Sequence, residues 1–175
     1  MCTPASFVVT RHAALYDESS DKHEVIIKNN KLDDNQPVPD FVRCEVVPPD
    51  GNYSLPFDKW EFRVDQDKLP EWWNAEWGDK VCREALPKWA ETHFISAGEY
   101  ICVDGQTLIV LKGAPVINQS GGRVWACDTS APVITQSGGM VWACDTSAPV
   151  ITQSGGMVWA CDTSAPVITQ SGGMV

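Results

Sequence analysis

Cysteine is the residue type in this sequence whose spacing could most directly do chemistry. Of the seven cysteines, three recur at intervals of 17 residues, at Cys127, Cys144 and Cys161. Such a column could bind a soft metal ion or form disulfides between copies, but parallel Cβ vectors give a poor disulfide torsion. The sequence has neither a CxxC pair nor the Cys/His spacing of a zinc finger. We therefore expect free thiols in a reducing compartment.

Aspartate recurs at the same interval, at Asp128, Asp145 and Asp162. Carboxylates stacked about 5 Å apart would repel one another or recruit a cation. The calcium-binding pattern GGxGxD is absent, because Met-Val-Trp follows Gly138-Gly139. We therefore interpret these aspartates as solvated turn residues and not as metal ligands.

Threonine forms two further columns, and their regularity is similar to the flat threonine arrays of ice-binding proteins. The paired Thr-x-Thr of those arrays is missing within each strand, so an ice surface remains a subordinate alternative. The columns are Thr129, Thr146 and Thr163, and Thr135, Thr152 and Thr169.

Outside these columns, a histidine could pair with a cysteine such as Cys44 for nucleophilic catalysis. No local signature surrounds His12, His23 or His93. We therefore predict no catalytic residue, no cofactor and no metal ligand, and hence a protein that is not an enzyme.

These columns exist because the end of the chain is a tandem array. Residues 140–156 and 157–173 both read MVWACDTSAPVITQSGG, and residues 123–139 differ from them only at Arg123. Residues 106–122 read QTLIVLKGAPVINQSGG, which keeps APVI and QSGG. The array therefore begins as a degenerate copy near residue 97 and becomes regular further on.

Each 17-residue unit contains two apolar runs, Val-Trp-Ala-Cys and Pro-Val-Ile-Thr, which favour strands. Asp-Thr-Ser and Gln-Ser-Gly-Gly separate them and are typical of turns, because glycine can take a positive φ. A helical-hairpin repeat would need roughly 33 residues. The sequence therefore predicts a mainly β fold, in which a parallel β-solenoid of about four 17-residue coils follows a small α+β capping domain.

Variation between copies indicates which side chains face outward. Position 123 is Arg where later copies have Met, so this column faces solvent, and alternation places Val124 and Ala126 inside with Trp125 and Cys127 outside. On the other strand the same argument places Val133 outside, and it places Tyr100, Ile117 and Ile134 inside. An outward tryptophan column is then an apolar stripe, which usually marks an interface. We predict self-association through Trp125, Trp142 and Trp159.

Residues 1–96 are predicted to form the α+β domain, and residues 97–175 to form the solenoid. Strands are predicted at residues 7–10, 24–27, 42–47 and 60–64. A tryptophan-rich helical stretch from Leu69 to about Thr92, broken into two helices by Pro87, would then cap the first coil. At the other end the sequence has no polar closing element after Met174 and Val175, which predicts fraying or pairing with a second copy, most simply as a homodimer.

Charge and composition exclude several partners. The net charge is −10, which argues against nucleic acid and against an anionic membrane. The charge is uneven, with a balance of −8 over residues 1–122 and −2 over residues 123–175. The start of the sequence lacks the features of a signal peptide, and no apolar stretch reaches the length of a membrane span, so we expect a cytoplasmic location.

The SAPVI(N/T)QSGG-VWA unit is similar to tandem repeats in uncharacterised bacterial and phage-associated proteins. The whole array resembles a consensus-engineered β-solenoid (β-helix) placed after a natural domain, although a recent duplication would also explain its identical copies. The resemblance covers residues 97–175 and implies no catalytic residues. We expect a non-enzymatic structural or scaffold protein that associates with itself, with a binding module for a protein, glycan or ice surface as the alternative.

Overall fold

The computed structural model describes residues 5–161 and 164–175. By its internal contacts the chain divides into two compact units, with the division between Thr92 and His93. The expectations placed on Asp162 and Thr163 lie outside the described residues.

The first unit contains an antiparallel four-stranded sheet and two α-helices. The helix α1 packs on one face of the sheet, where Ile26 meets Val8. Cys82 of the second helix, α2, lies against Cys44 on the other face. The strand order is β2-β1-β3-β4. The elements are β1 (Ser6–Val9), β2 (Ala14–Leu15), α1 (His23–Asn29), β3 (Val42–Val47), β4 (Glu61–Val64) and α2 (Ala75–His93), with 3-10 turns at Pro49–Gly51 and Phe57–Lys59.

The strand predicted at residues 24–27 is wrong, because this segment forms α1. Its β-branched residues suit a strand in isolation. In the fold, Ile26 and Ile27 are buried together with Val8 and Phe41 from consecutive positions of a short helix. Asn30 ends that helix by donating both its backbone N–H and its side-chain amide to the Ile26 carbonyl, at 3.1 and 2.8 Å.

The break predicted at Pro87 is also wrong, because α2 continues through it, and the helix begins at Ala75 and not at Leu69. Proline in a helix interior costs about 3 kcal/mol. Leu86 and Trp89 beside it are almost completely buried, and the Trp89 indole N–H donates to Asp21 at 2.9 Å. Burial of each large apolar side chain stabilises by about 1.5–3 kcal/mol, so packing outweighs the cost of the proline.

The second unit confirms the predicted parallel β-solenoid of about four coils. Each coil contributes one strand to each of two sheets, ordered β12-β10-β8-β6 and β13-β11-β9-β7-β5. Neighbouring strands pair in parallel with a shift of 17 residues, so that Val141 lies beside Val124 and Val158. The strands are β5 (Glu99–Cys102), β6 (Thr107–Val110), β7 (Val116–Gln119), β8 (Arg123–Ala126), β9 (Val133–Gln136), β10 (Met140–Ala143), β11 (Val150–Gln153), β12 (Met157–Ala160) and β13 (Val167–Gln170).

The predicted inward and outward faces of the repeat strands are confirmed. Val124 and Ala126 are fully buried, and Ile117 and Ile134 are buried opposite them. Tyr100 is half-buried and packs against this core. The core between the two sheets is therefore thin, and it consists of small aliphatic side chains stacked on their own copies.

Glutamine was predicted to begin a turn, but the structure places it at the last, inward-facing position of a strand. Gln136 is completely buried, and its Nε2 donates to the carbonyls of Gly139 at 3.1 Å and Met157 at 3.2 Å. Gln119 and Gln153 repeat this pattern one coil before and one coil after. Each glutamine therefore ties the turn of its own coil to the first strand residue of the next coil.

The Ser-Gly-Gly turn between the two sheets leaves no room for a side chain at Gly139. Its φ is +78°, and an added Cβ would lie 2.5 Å from the carbonyl oxygen of Gly121 in the coil below. Gly105 has a similar φ of +86°, but an added Cβ there would meet open space.

We therefore expect Gly139→Ala to lower the free energy of unfolding by more than Gly105→Ala does. Both changes incur the left-handed backbone cost of about 1–2 kcal/mol, and only Gly139→Ala adds a backbone clash. Urea denaturation followed by circular dichroism measures the difference. Equal losses in the two variants would contradict close stacking of the turns.

We expect Gln136→Met to lower the free energy of unfolding by about 1–2 kcal/mol, because two hydrogen bonds worth about 0.5–1.5 kcal/mol each are lost at constant side-chain length. Gln170→Met is the matched control in the same column, because Gln170 is exposed. Chemical denaturation of both variants tests the glutamine tether, which is wrong if the two losses are the same.

Candidate interaction surface

The outer face of the four-stranded solenoid sheet carries a column of tryptophans. Trp142 is in register with Trp125 on one side and Trp159 on the other. The rings of Trp125 and Trp142 are stacked, with centroids 4.4 Å apart and planes 7° from parallel. Both are half-buried, whereas Trp159 is 54% exposed. Parallel pairing imposes this stack, because it places identical side chains about 4.8 Å apart.

A second outward column runs beside the tryptophans. It contains Arg123, Met140 and Met157, which are all half-buried. We call the two columns together the tryptophan face, and it carries one formal charge, on Arg123. Flexible thioethers beside aromatic rings form an adaptable apolar surface.

The other predicted interface residues lie at the end of the solenoid. Met174 forms a single parallel bridge to Met157, and Met174 and Val175 are 59% and 66% exposed. Among the described residues, β12 and β13 each have a hydrogen-bonded neighbour on one side only. These edges are the second surface on which the predicted pairing could occur.

The prediction that Cys127 faces outward is wrong, because it is 3% exposed. The strand alternation that gave this prediction stops at Ala126, where β8 ends, so Cys127 belongs to the following turn. A hydrogen bond with the thiol of Cys144, followed by burial, raises the pKa of Cys127 well above its usual range. The protonated thiol is a poor nucleophile and a poor metal ligand, and the cysteines of the described residues are free.

The aspartate column lies in turns, as predicted. Asp128 and Asp145 have φ values of +49° and +55°, a conformation that aspartate tolerates better than most residues. The Asp128 N–H donates to Asp145 Oδ2 at 3.4 Å. The position of these two residues is that of backbone turn formers.

The outer face of the five-stranded sheet is also exposed and regular. Val133 and Val150 are each 44% exposed, and each alternates along its strand with an exposed threonine, Thr135 or Thr152. This face is flatter in composition than the tryptophan face and has no aromatic residues in its repeated strands.

Three residues of the first unit come together although their spacing in the sequence gives no sign of it. His23, Glu45 and Asp65 each offer a ligand atom, and these atoms all lie within 4.8 Å of one another. The group is assembled by a helix and two strands, so a signal for it exists only in the tertiary structure. The other histidines, His12 and His93, form no such group within the described part of the chain.

The fold and these surfaces define the class of the protein as a two-sheet parallel β-solenoid with a preceding α+β unit. The chain matches no protein-family model, and it shows no significant similarity to a curated protein or to a solved structure. None of the described helices combines the length and the apolar content needed to cross a bilayer.

We expect Trp142→Ala to destabilise the solenoid more than Trp159→Ala does. Trp142 has a tryptophan in register on both sides, and an aromatic pair is worth about 0.5–1.5 kcal/mol beyond its buried area. Denaturation at low protein concentration, followed by circular dichroism, measures both losses. A larger loss for Trp159→Ala would contradict stabilisation by the stack.

Proposed function

We propose that this protein is a non-enzymatic scaffold whose solenoid associates with a second copy of itself through the tryptophan face. The observation that supports this most strongly is the outward, stacked tryptophan column, which becomes 54% exposed at Trp159. Contiguous aromatic and Met surface is enriched at the centres of protein interfaces. A scaffold function needs no catalytic group, and the surface offers none.

Charge supports the solenoid and not the first unit as the contact region. Residues 123–175 carry a balance of −2, whereas residues 1–122 carry −8. Two copies that met through residues 1–122 would bring like charges together, which costs energy at close range. Two copies that meet through the tryptophan face avoid most of this repulsion.

The regular spacing of the face supports a symmetric dimer. A two-fold contact uses the same patch on both partners. Because the coils repeat every 17 residues with identical sequences in residues 140–173, a tryptophan of one copy can pack between rungs of the other all along the column. The same identity supports an idealised array, of consensus-engineered or recently duplicated origin.

Pairing of the strand edges of β12 and β13 is the other route to association. It would use main-chain hydrogen bonds with Met174 and Val175 nearby, and it does not depend on the tryptophan rings. The two routes therefore respond differently to a substitution in the middle of the column.

The experiment is sedimentation velocity over a concentration series with Trp142→Glu and Thr152→Glu. Thr152 is exposed on the opposite sheet, so Thr152→Glu adds the same charge to the same array and serves as the matched control. We expect the wild-type protein and Thr152→Glu to be dimers and Trp142→Glu to be a monomer. A wild-type monomer at high concentration would refute self-association, and a dimeric Trp142→Glu would move the contact to the strand edges.

The exposed valine and threonine columns favour a second candidate function, a binding module for a protein, glycan or ice surface. Val150 and Thr152 present methyl and hydroxyl groups in register with their copies on the neighbouring coils. Thr152→Glu separates the two functions, because it would abolish ligand binding on this face while the dimer persists.

A further inference from the structure

The first unit holds a cluster of three potential metal ligands on one face of its sheet. His23 is the first residue of α1, Glu45 lies within β3, and Asp65 directly follows β4. His23 Nδ1 lies 3.5 Å from Asp65 Oδ2, and the three ligand atoms are within 4.8 Å of one another. The cluster therefore combines one imidazole with two carboxylates.

The hydrogen bond on the far side of the imidazole fixes which nitrogen faces the carboxylates. His23 Nε2 lies 3.1 Å from the carbonyl oxygen of Cys44. A carbonyl only accepts, so Nε2 carries the hydrogen and donates it. In the neutral ring the lone pair is then on Nδ1, which faces Asp65. A ring held by its other N–H on a backbone carbonyl is the arrangement that metal-binding histidines adopt in proteins.

The distance between His23 and Asp65 suits two ligands of one ion better than a direct ion pair. A charge-assisted N–H···O bond measures about 2.7–2.9 Å. Two ligands about 2.1 Å from a tetrahedral zinc ion lie roughly 3.4 Å apart. The observed separation is 3.5 Å, so an ion could sit between these atoms with little movement of either side chain.

The surrounding structure holds the three ligands in place. His23 is 1% exposed and Glu45 is 7% exposed. Glu45 is paired across the sheet with Ser6 on one side and Arg63 on the other, and the Asp65 N–H donates to the Arg43 carbonyl at 2.9 Å. The Asp65 side chain is 58% exposed, which leaves a path from solvent to the cluster.

The two arginines on this face have carboxylate partners of their own. Arg43 binds Asp34 at 2.6 Å, and Arg63 binds Glu61 at 2.6 Å. Their guanidinium groups are therefore committed to acids outside the cluster.

We propose that His23, Glu45 and Asp65 bind a divalent transition-metal ion of the zinc type. The ligands are His23 Nδ1 and one oxygen from each carboxylate, and water completes the coordination from the exposed side of Asp65. Two carboxylates balance the charge of the ion, and the borderline imidazole ligand favours zinc-like ions over Ca²⁺ or Mg²⁺. The site lies in the first unit and is independent of self-association by the solenoid.

The experiment compares Zn²⁺ binding to the full chain and to two variants by isothermal titration calorimetry after treatment with a chelator. Asp65→Asn removes a ligand at an exposed position, and Asp67→Asn removes an exposed carboxylate two residues away. All three proteins keep every cysteine, so binding by thiols is common to them. We expect Asp65→Asn to weaken one Zn²⁺ site at least tenfold (a ligand contributes no less than the outer-shell groups) and Asp67→Asn to leave it unchanged.

A second measurement on the wild-type protein avoids any effect of substitution on folding. Nitrogen-15 NMR of the imidazoles should show a large Zn²⁺-dependent shift of His23 Nδ1 and none at His23 Nε2. Equal Zn²⁺ affinity in the wild-type protein and Asp65→Asn, or an Nδ1 signal that Zn²⁺ does not move, would overturn the proposal and leave an imidazole–carboxylate pair without a metal ion.

Discussion

The Ser-Gly-Gly turn, and the buried glutamine that precedes it, form the constraint on which the solenoid depends. At this turn the chain passes from the five-stranded sheet to the four-stranded sheet in three residues. An added Cβ at Gly138 or Gly139 would meet the backbone of the coil below at 2.5 Å. The glutamine amide satisfies one carbonyl in its own turn and one in the next coil. A shift of register by one residue would break both the close approach and this tether, so the turn fixes the period at 17 residues.

A fixed period has a direct consequence for the surface. Every side chain is stacked on its counterpart in the next coil, so an outward residue becomes a column whatever its chemistry. For tryptophan the stack hides the ring faces and leaves the edges, which is why Trp125 and Trp142 are half-buried although they point outward. The same rule concentrates aliphatic and hydroxyl groups on the opposite sheet. The two faces therefore differ in chemistry while their backbones are equivalent.

The sequence was sufficient for the features that come from repetition and insufficient for those that come from distant contacts. Identical copies predicted the solenoid and the burial of Val124 and Ala126, because each copy tests the others. Gln136 was misread as a turn residue, since its polar side chain gives no sign of the two carbonyls it meets inside the core. In the first unit, α1 and the continuous α2 depend on packing between elements that no local pattern records. The His23, Glu45 and Asp65 cluster was invisible for the same reason.

The two units therefore carry chemistry in different ways. In the solenoid, a polar group at an inward position is repeated in every coil, so each must be satisfied by the backbone, and the glutamine amides achieve this only with their N–H groups. Their Oε1 atoms have no partner within the described residues, an energetic cost incurred once per coil. A functional group that needs a unique environment is hard to build under that rule. The first unit has no period, and it can bury one histidine beside one glutamate without copying either. A specific ligand site is thus expected in the irregular unit, and an extended contact surface in the regular one.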